Sequence, residues 1–404
     1  MAFQPKIHEY NSIGRVLFGP QAATRVGEEA AKLVSGRRCL IITEAGIVKA
    51  GLVSEIQASL SEAGFDVELC DSAKPEPSLA VYEQVLEIAR RASPDIIVGL
   101  GGGSSMDVSK AVARGLRASE PLAAYPGKEF EGEGVPLITL PTTSGTAAEV
   151  TPDAVVLLPD ERVKTGFFNT RAAVAIVDPT LTLSLPPRLT AATGVDALSH
   201  AVESALSKTA TPLTQALALE SIRLISNNLR MATFDGSDLE ARTNMAWATL
   251  IEGFSESNAG DVEGHAVAHV LGGNYRVHHG EACGIALPYC MKYNLPVNTP
   301  ILARIAQAMD QNISGSPRAM AEEGIQAVYN LIEEVGCPTS IADIDGASKD
   351  DIPGLAKLYC THPYITVILE LFAKRGVPSE AEASRFFDEM FEPFSLGKAT
   401  GAPH

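Results

Sequence analysis

The stretch GHAVAHVLGGNYRVHHGEACG, residues 264–284, holds His265, His269, His278 and His279, half of the chain's eight histidines. His265 and His269 stand four residues apart, so a helix places them on one face. Asp196 and His200 in TGVDALSHAVE (193–203) repeat that spacing. The LGGNY segment (271–275) predicts a helix break that turns the chain back and brings His278 or His279 near the first pair. Imidazole nitrogens and a carboxylate oxygen suit Fe²⁺ or Zn²⁺. A lone pair of histidines at this spacing is usually structural. D-x3-H combined with H-x3-H-x9-H is a stronger signal, and it points to a metal. A dication there polarises a bound oxygen, the effect that brings metal-bound water to about pH 7 in favourable sites. Spacing alone leaves open which three histidines join Asp196.

A second constellation suits a phosphate. DIIVGLGGGSSMDVSKAVA (95–113) reads as a strand, a glycine run and a helix opening near Ser104. Glycines let backbone approach a phosphate, and a helix N-terminus offers free N–H groups. LPTTSGTAAEVT (140–151) adds a dense set of hydroxyls, Thr142, Thr143, Ser144 and Thr146, after the next strand. Glu44 closes an earlier strand, where a carboxylate could accept from a ribose diol and would repel a 2′-phosphate. Solvated loop carboxylate and helix N-cap are equally fair readings of Glu44.

The elements that must position these groups have two grammars. Strand-like runs at 37–43, 66–71, 95–101, 136–141 and 173–178 alternate with amphipathic segments such as 22–34 and 80–92. That pattern predicts a parallel, Rossmann-like sheet covered on both faces, with ligands at its carboxyl edge. After the double proline 186–187 the pattern turns helical, at 213–229, 238–257 and 320–335. The expectation is an α/β dinucleotide-binding domain over 1–185 and an all-α metal-binding domain over 186–404, with the site in the cleft between them.

A net charge of −17 argues against nucleic acid and anionic membrane as partners. No apolar run approaches the ~18–20 residues of a membrane span, so a cytoplasmic protein is expected. Six cysteines without a C-x-x-C pair read as reduced thiols.

GGGSSMDVSKA, PTTSGTAAEVT, VDPTLTLSLPPRLTAATGVDALSHAVE and HAVAHVLGGNYRVHHGEACGIALPYCMKYN together resemble the iron-containing (group III) alcohol dehydrogenase family. The likeness runs from GRVLFG (14–19) to the last helices. It implies oxidation of alcohols or reduction of aldehydes with NAD(P), one divalent metal and a homodimer. By resemblance the metal ligands fall on Asp196, His200, His265 and His279. His269 becomes a non-ligand beside the nicotinamide, available for substrate contact or for proton relay with a pKa near the working range, or equally for orienting a ligand from behind. Cofactor contacts fall on Gly102, Gly103, Ser104, Thr142, Thr143, Thr146, Lys164 and Leu181, with Glu44 where the family often has Asp. Glu44 favours NAD over NADP; iron is the expected metal, with zinc or another divalent ion as substitutes. Substrates would be small alcohols, diols or hydroxy acids.

Departures from the family pattern cluster on the substrate side. Pro75-Glu76-Pro77 replaces a P-N-P turn, Ala147 and Ala148 replace Gly and Ser, and Asp261-Val262-Glu263 replaces a usually apolar stretch. His278 stands where proline is common, and YCTHPYIT (359–366) suggests Cys360 and His362 beside the substrate pocket. A polyol dehydrogenase or dehydroquinate-synthase-like lyase on the same fold is the nearest alternative, and a metallohydrolase or a non-enzymatic metal-binding protein the more distant ones.

Overall fold

Near-continuous apolar runs form strands that are buried on both faces, and the chain obeys that logic. The computed structural model describes residues 8–158 and 163–396. Its strands are β1 (Val16–Phe18), β2 (Arg38–Glu44), β3 (Asp66–Ala73), β4 (Ile96–Gly101), β5 (Leu137–Pro141), β6 (Ala154–Leu158), β7 (Val163–Phe167) and β8 (Val174–Val177). Six form one parallel sheet in the order β1-β8-β5-β4-β2-β3. All residues of β4 and β5 are buried, as expected of central strands. The helices α1 (Val26–Leu33), α2 (Ala45–Lys49), α3 (Val53–Glu62), α4 (Leu79–Ala92) and α5 (Gly103–Gly115) accompany it.

Strand order reverses between β2 and β4: β3 lies outside β2, whereas β5 and β8 continue on the other side of β4. At such a switch point the following loops diverge and leave a crevice at the carboxyl edge. Glu44 ends β2 there and Gly101-Gly102 ends β4. The antiparallel ribbon β6–β7 flanks the crevice, an element that the sequence reading did not anticipate.

From Pro187 onward the described chain is helical: α6 (Pro187–Leu206), α7 (Pro212–Phe234), α8 (Leu239–Ala259), α9 (Glu263–Tyr275), α10 (His279–Met309), α11 (Pro317–Glu334), α12 (Ile352–Thr361), α13 (Pro363–Phe372) and α14 (Glu380–Phe391). Their shared core is apolar and separate from the two clusters on the sheet faces. Proline caps set their starts: Thr211 accepts from the Thr214 N–H with Pro212 at the first helical position, and Ser316 precedes Pro317 in the same way. Among the described residues no helix is long and apolar enough to cross a membrane.

One expectation fails here. The helix does not break at Gly272-Gly273 but continues to Tyr275, ending where Arg276 turns left-handed at φ 57°. Paired glycines cost about 2 kcal/mol in a helix. The buried 263–271 face outweighs that cost, and Asn274 Nδ2 donates back to the Val270 carbonyl at 2.8 Å. The reversal lies at Arg276–His278.

Candidate active site

One cavity of about 340 Å³ joins the carboxyl edge of the sheet to the histidine helices. At its sheet end lie Glu44, Gly102, Gly103, Ser104, Thr143 and Thr146. The two loops touch: a Cβ on Gly103 would meet Thr146 Oγ1 at 2.7 Å, so the β4 turn closes only with glycine there. Glu44 precedes α2, yet its side chain caps nothing; it faces the cavity, and burial raises its pKa. Lys164 on β7 forms an ion pair with Glu76, in the turn where the family's asparagine would stand. Two expected cofactor contacts lie elsewhere. Thr142 is buried beside the crevice with its backbone N–H on the Gly101 carbonyl, and Leu181 packs into the sheet core. Neither lines the cavity.

At the other end, three helices converge. α6 supplies Asp196 and His200, α9 supplies His265 and His269, and α10 opens with His279. Asp196 Oδ1 is buried without a hydrogen-bond partner, 3.7 Å from both His265 Nε2 and His279 Nε2. His200 Nδ1 donates to the Asp196 carbonyl at 3.0 Å, which leaves Nε2 with the lone pair. His265 Nδ1 donates to Glu203 Oε1 at 2.8 Å, and Glu203 Oε2 accepts the Val262 and His265 backbone N–H groups. A carboxylate behind an imidazole is the usual device for orienting a metal ligand and raising its basicity. Burial alone would raise the Asp196 carboxyl; His279, His200 and His265 outweigh it and hold it well below the ordinary range. Burial, then Lys164, keeps His279 neutral. An orphaned, ionised carboxylate facing imidazoles whose other nitrogens are held by Glu203 and by the Asp196 carbonyl fits a divalent cation.

His269 points into the same cavity, its ring 5.5 Å from His279 and 5.4 Å from Tyr364. Its pKa does not lie near the working range. Burial, followed by Lys164, His265 and His200, pushes it well below the ordinary histidine value, so the ring is neutral. His278 also lines the cavity. Cys360 and His362 do not; α13 begins at Pro363 and presents Tyr364 instead. Asp261 faces the cavity, whereas Glu263 is buried behind it, accepting from Asn294 Nδ2 at 2.7 Å.

Several residues were not anticipated. Glu203 completes D-x3-H-x2-E on α6, a readable signal. Cys283, four residues after His279 on α10, sets its Sγ 3.6 Å from His265 Nε2 and 3.8 Å from His279 Nε2. Asp153, Glu256 and Tyr364 reach the cavity from three separate segments that share no motif.

The chain matches the iron-containing alcohol dehydrogenase family over residues 14–179 and the C-terminal part of that family over 190–365. It is 40% identical to a 1,3-propanediol dehydrogenase of Citrobacter freundii, over 84% of this chain and 89% of that one. It is 36% identical to a long-chain-alcohol dehydrogenase of Geobacillus thermodenitrificans, over 86% of this chain and 90% of that one. A crystal structure of 1,3-propanediol oxidoreductase superposes with a TM-score of 0.89 at 36% identity, covering 96% of this chain and all (100%) of the other.

Proposed function

The chain belongs to the iron-containing alcohol dehydrogenase family, and from that premise we propose that it is an NAD-linked, metal-dependent dehydrogenase interconverting a small alcohol or diol with its aldehyde. The observation that carries this reading is the orphaned Asp196 Oδ1, facing two imidazole Nε2 atoms in the same cavity as the Gly103–Thr146 turn. Asp196, His200, His265 and His279 would hold the cation, with iron as the preferred ion. Gly102, Gly103, Ser104, Thr143, Thr146 and Lys164 would bind the dinucleotide, with Thr142 and Leu181 supporting it from behind. Residues 1–185 and 186–404 are taken as the two domains, and the family supports a cytoplasmic homodimer.

When bound, the cation draws electron density from the substrate oxygen and the nicotinamide exchanges hydride with the carbon. The protein's own residues do the positioning. Glu203 fixes the tautomer and tilt of His265, and the Asp196 carbonyl does so for His200. The glycine turn admits pyrophosphate to the N-terminus of α5. His269 holds a neutral ring whose Nδ1 has no partner, free to exchange a hydrogen bond with the substrate hydroxyl. His269→Ala should keep the metal and slow turnover by about a hundredfold. Metal analysis beside kcat checks this, and an emptied site would refute the ligand assignment.

Glu44 supports NAD over NADP, because a half-buried carboxylate at the end of β2 repels a 2′-phosphate. Glu44→Gln should raise kcat/KM for NADP relative to NAD by about tenfold; an unchanged ratio would remove Glu44 from the cofactor site. Anaerobic purification, metal analysis and an NAD/NADP assay over short alcohols, diols and hydroxy acids test the whole reading. Absence of NADH binding would favour a metallohydrolase.

A further inference from the structure

Each helix that meets at the histidine cluster carries a pair of polar or ligating side chains one turn apart: Asp196 and His200 on α6, His265 and His269 on α9, His279 and Cys283 on α10. Only Cys283 among these has no assigned part. Residues four apart share a helix face, so the turn that carries His279 to the site carries Cys283 with it. Close packing fixes that face. A Cβ on Gly280 would meet the Ala192 carbonyl oxygen, and one on Gly284 would meet Val195 Cγ1 at 3.0 Å. The start of α10 therefore lies directly against the turn of α6 that bears Asp196.

Distances set the thiol among the donor atoms rather than behind them. Cys283 Sγ stands 3.6 Å from His265 Nε2 and 3.8 Å from His279 Nε2, and each of those nitrogens stands 3.7 Å from Asp196 Oδ1. All four atoms lie within 4.8 Å of one another. Ligand atoms about 2.0–2.3 Å from a tetrahedral ion are about 3.3–3.6 Å apart, so the quartet needs only a slight contraction. Two further observations point to an ion there. Asp196, 2% exposed, leaves Oδ1 without a hydrogen-bond partner. His265 commits Nδ1 to Glu203, which presents the Nε2 lone pair to Asp196 and Cys283.

Donor softness says what the sulfur adds. Imidazole serves iron and zinc alike, whereas a thiolate favours zinc. We propose that Cys283 is a further ligand of the cation held by Asp196, His265 and His279, with His200 keeping its own place, and that it strengthens zinc against iron at this site. On binding, the sulfur–hydrogen bond is exchanged for a sulfur–metal bond and the proton leaves to solvent. Nothing is oxidised or reduced in that exchange.

The proposal rests on the metal reading, and its test keeps the two apart. The full chain is loaded anaerobically with Zn²⁺ or with Co²⁺. Zinc X-ray absorption should show sulfur at about 2.3 Å beside nitrogen and oxygen at about 2.0–2.1 Å. The cobalt form should show a sulfur-to-metal charge-transfer band in the near ultraviolet. Cys283→Ser and Cys283→Ala should lose both signals yet still take up the ion, with Zn²⁺ weakened at least about tenfold and Fe²⁺ by less. Cys360→Ser, outside the cavity, should keep both signals. Bound metal without a sulfur signal in the wild type, or a signal that survives Cys283→Ser, overturns the proposal and leaves the metal site standing. Equal weakening of Zn²⁺ and Fe²⁺ overturns the selectivity. A wild type that holds no dication overturns the metal reading, and the proposal with it. The wild-type spectra decide even where a variant misfolds.

Discussion

A His265→Ala variant should retain less than about a tenth of the wild-type metal and lose about a thousandfold in kcat/KM, the scale set by several kcal/mol of cation stabilisation. His265 is the node of the cluster. Its Nε2 faces Asp196 Oδ1 at 3.7 Å, its ring lies 4.1 Å from that of His200, and its Nδ1 engages Glu203. Truncation removes a donor atom and frees Glu203, fully buried at 0% exposure, from its side-chain partner. The carboxylate keeps its two backbone N–H bonds, so the fold should survive while the orientation of the site does not. Metal analysis with steady-state kinetics checks the result, and a fully loaded variant would show that another residue completes the shell. Contrast with His269→Ala is the sharper comparison: two histidines one helical turn apart, one expected to hold the ion and the other to leave it in place.

Gly280→Ala should lower stability by about 2–3 kcal/mol and carry metal occupancy down with it. Gly280 follows His279 at the start of α10, and a Cβ there would stand 2.0 Å from the Ala192 carbonyl oxygen on α6 and 3.2 Å from Asp196 Cβ. Backbone cannot rotate away as a side-chain tip does, so α6 and α10 must separate. That separation would move Asp196 from His279. The control is Gly354→Ala in α12, where nothing lies within 4 Å and alanine is the better helix former. Chemical unfolding with metal analysis decides; a wild-type-like Gly280→Ala would mean that helix spacing does not govern the site.

Legibility in the sequence followed physical range. Strands β2, β4, β5 and β8 announce themselves because buried parallel strands are continuous apolar runs, whereas β3 is a largely exposed edge strand of mixed polarity. Asp196/His200 and His265/His269 are legible because four-residue spacing on a helix is local geometry. β1 has only three residues and no pattern to read. The β6–β7 ribbon is anchored by the Leu157 N–H on the Pro77 carbonyl, a contact between distant segments. α10 runs 31 residues through Pro288, Pro296 and Pro300, each of which reads locally as a stop. Packing against α6 and α11 overrides those signals. Glu203 was readable in the α6 spacing, but Asp153 and Glu256 were not, since they reach the cavity from separate segments that share no motif.

The division of the histidine cluster among α6, α9 and α10 has a consequence for assembly. A cation held by Asp196, His200, His265 and His279 would act as a non-covalent staple across the whole 196–279 stretch. Closing a long loop removes entropy from the unfolded chain, much as a disulfide does. Iron lost to oxidation would then cost the enzyme twice: once in chemistry, and again in the restraint that keeps three distant helices in register.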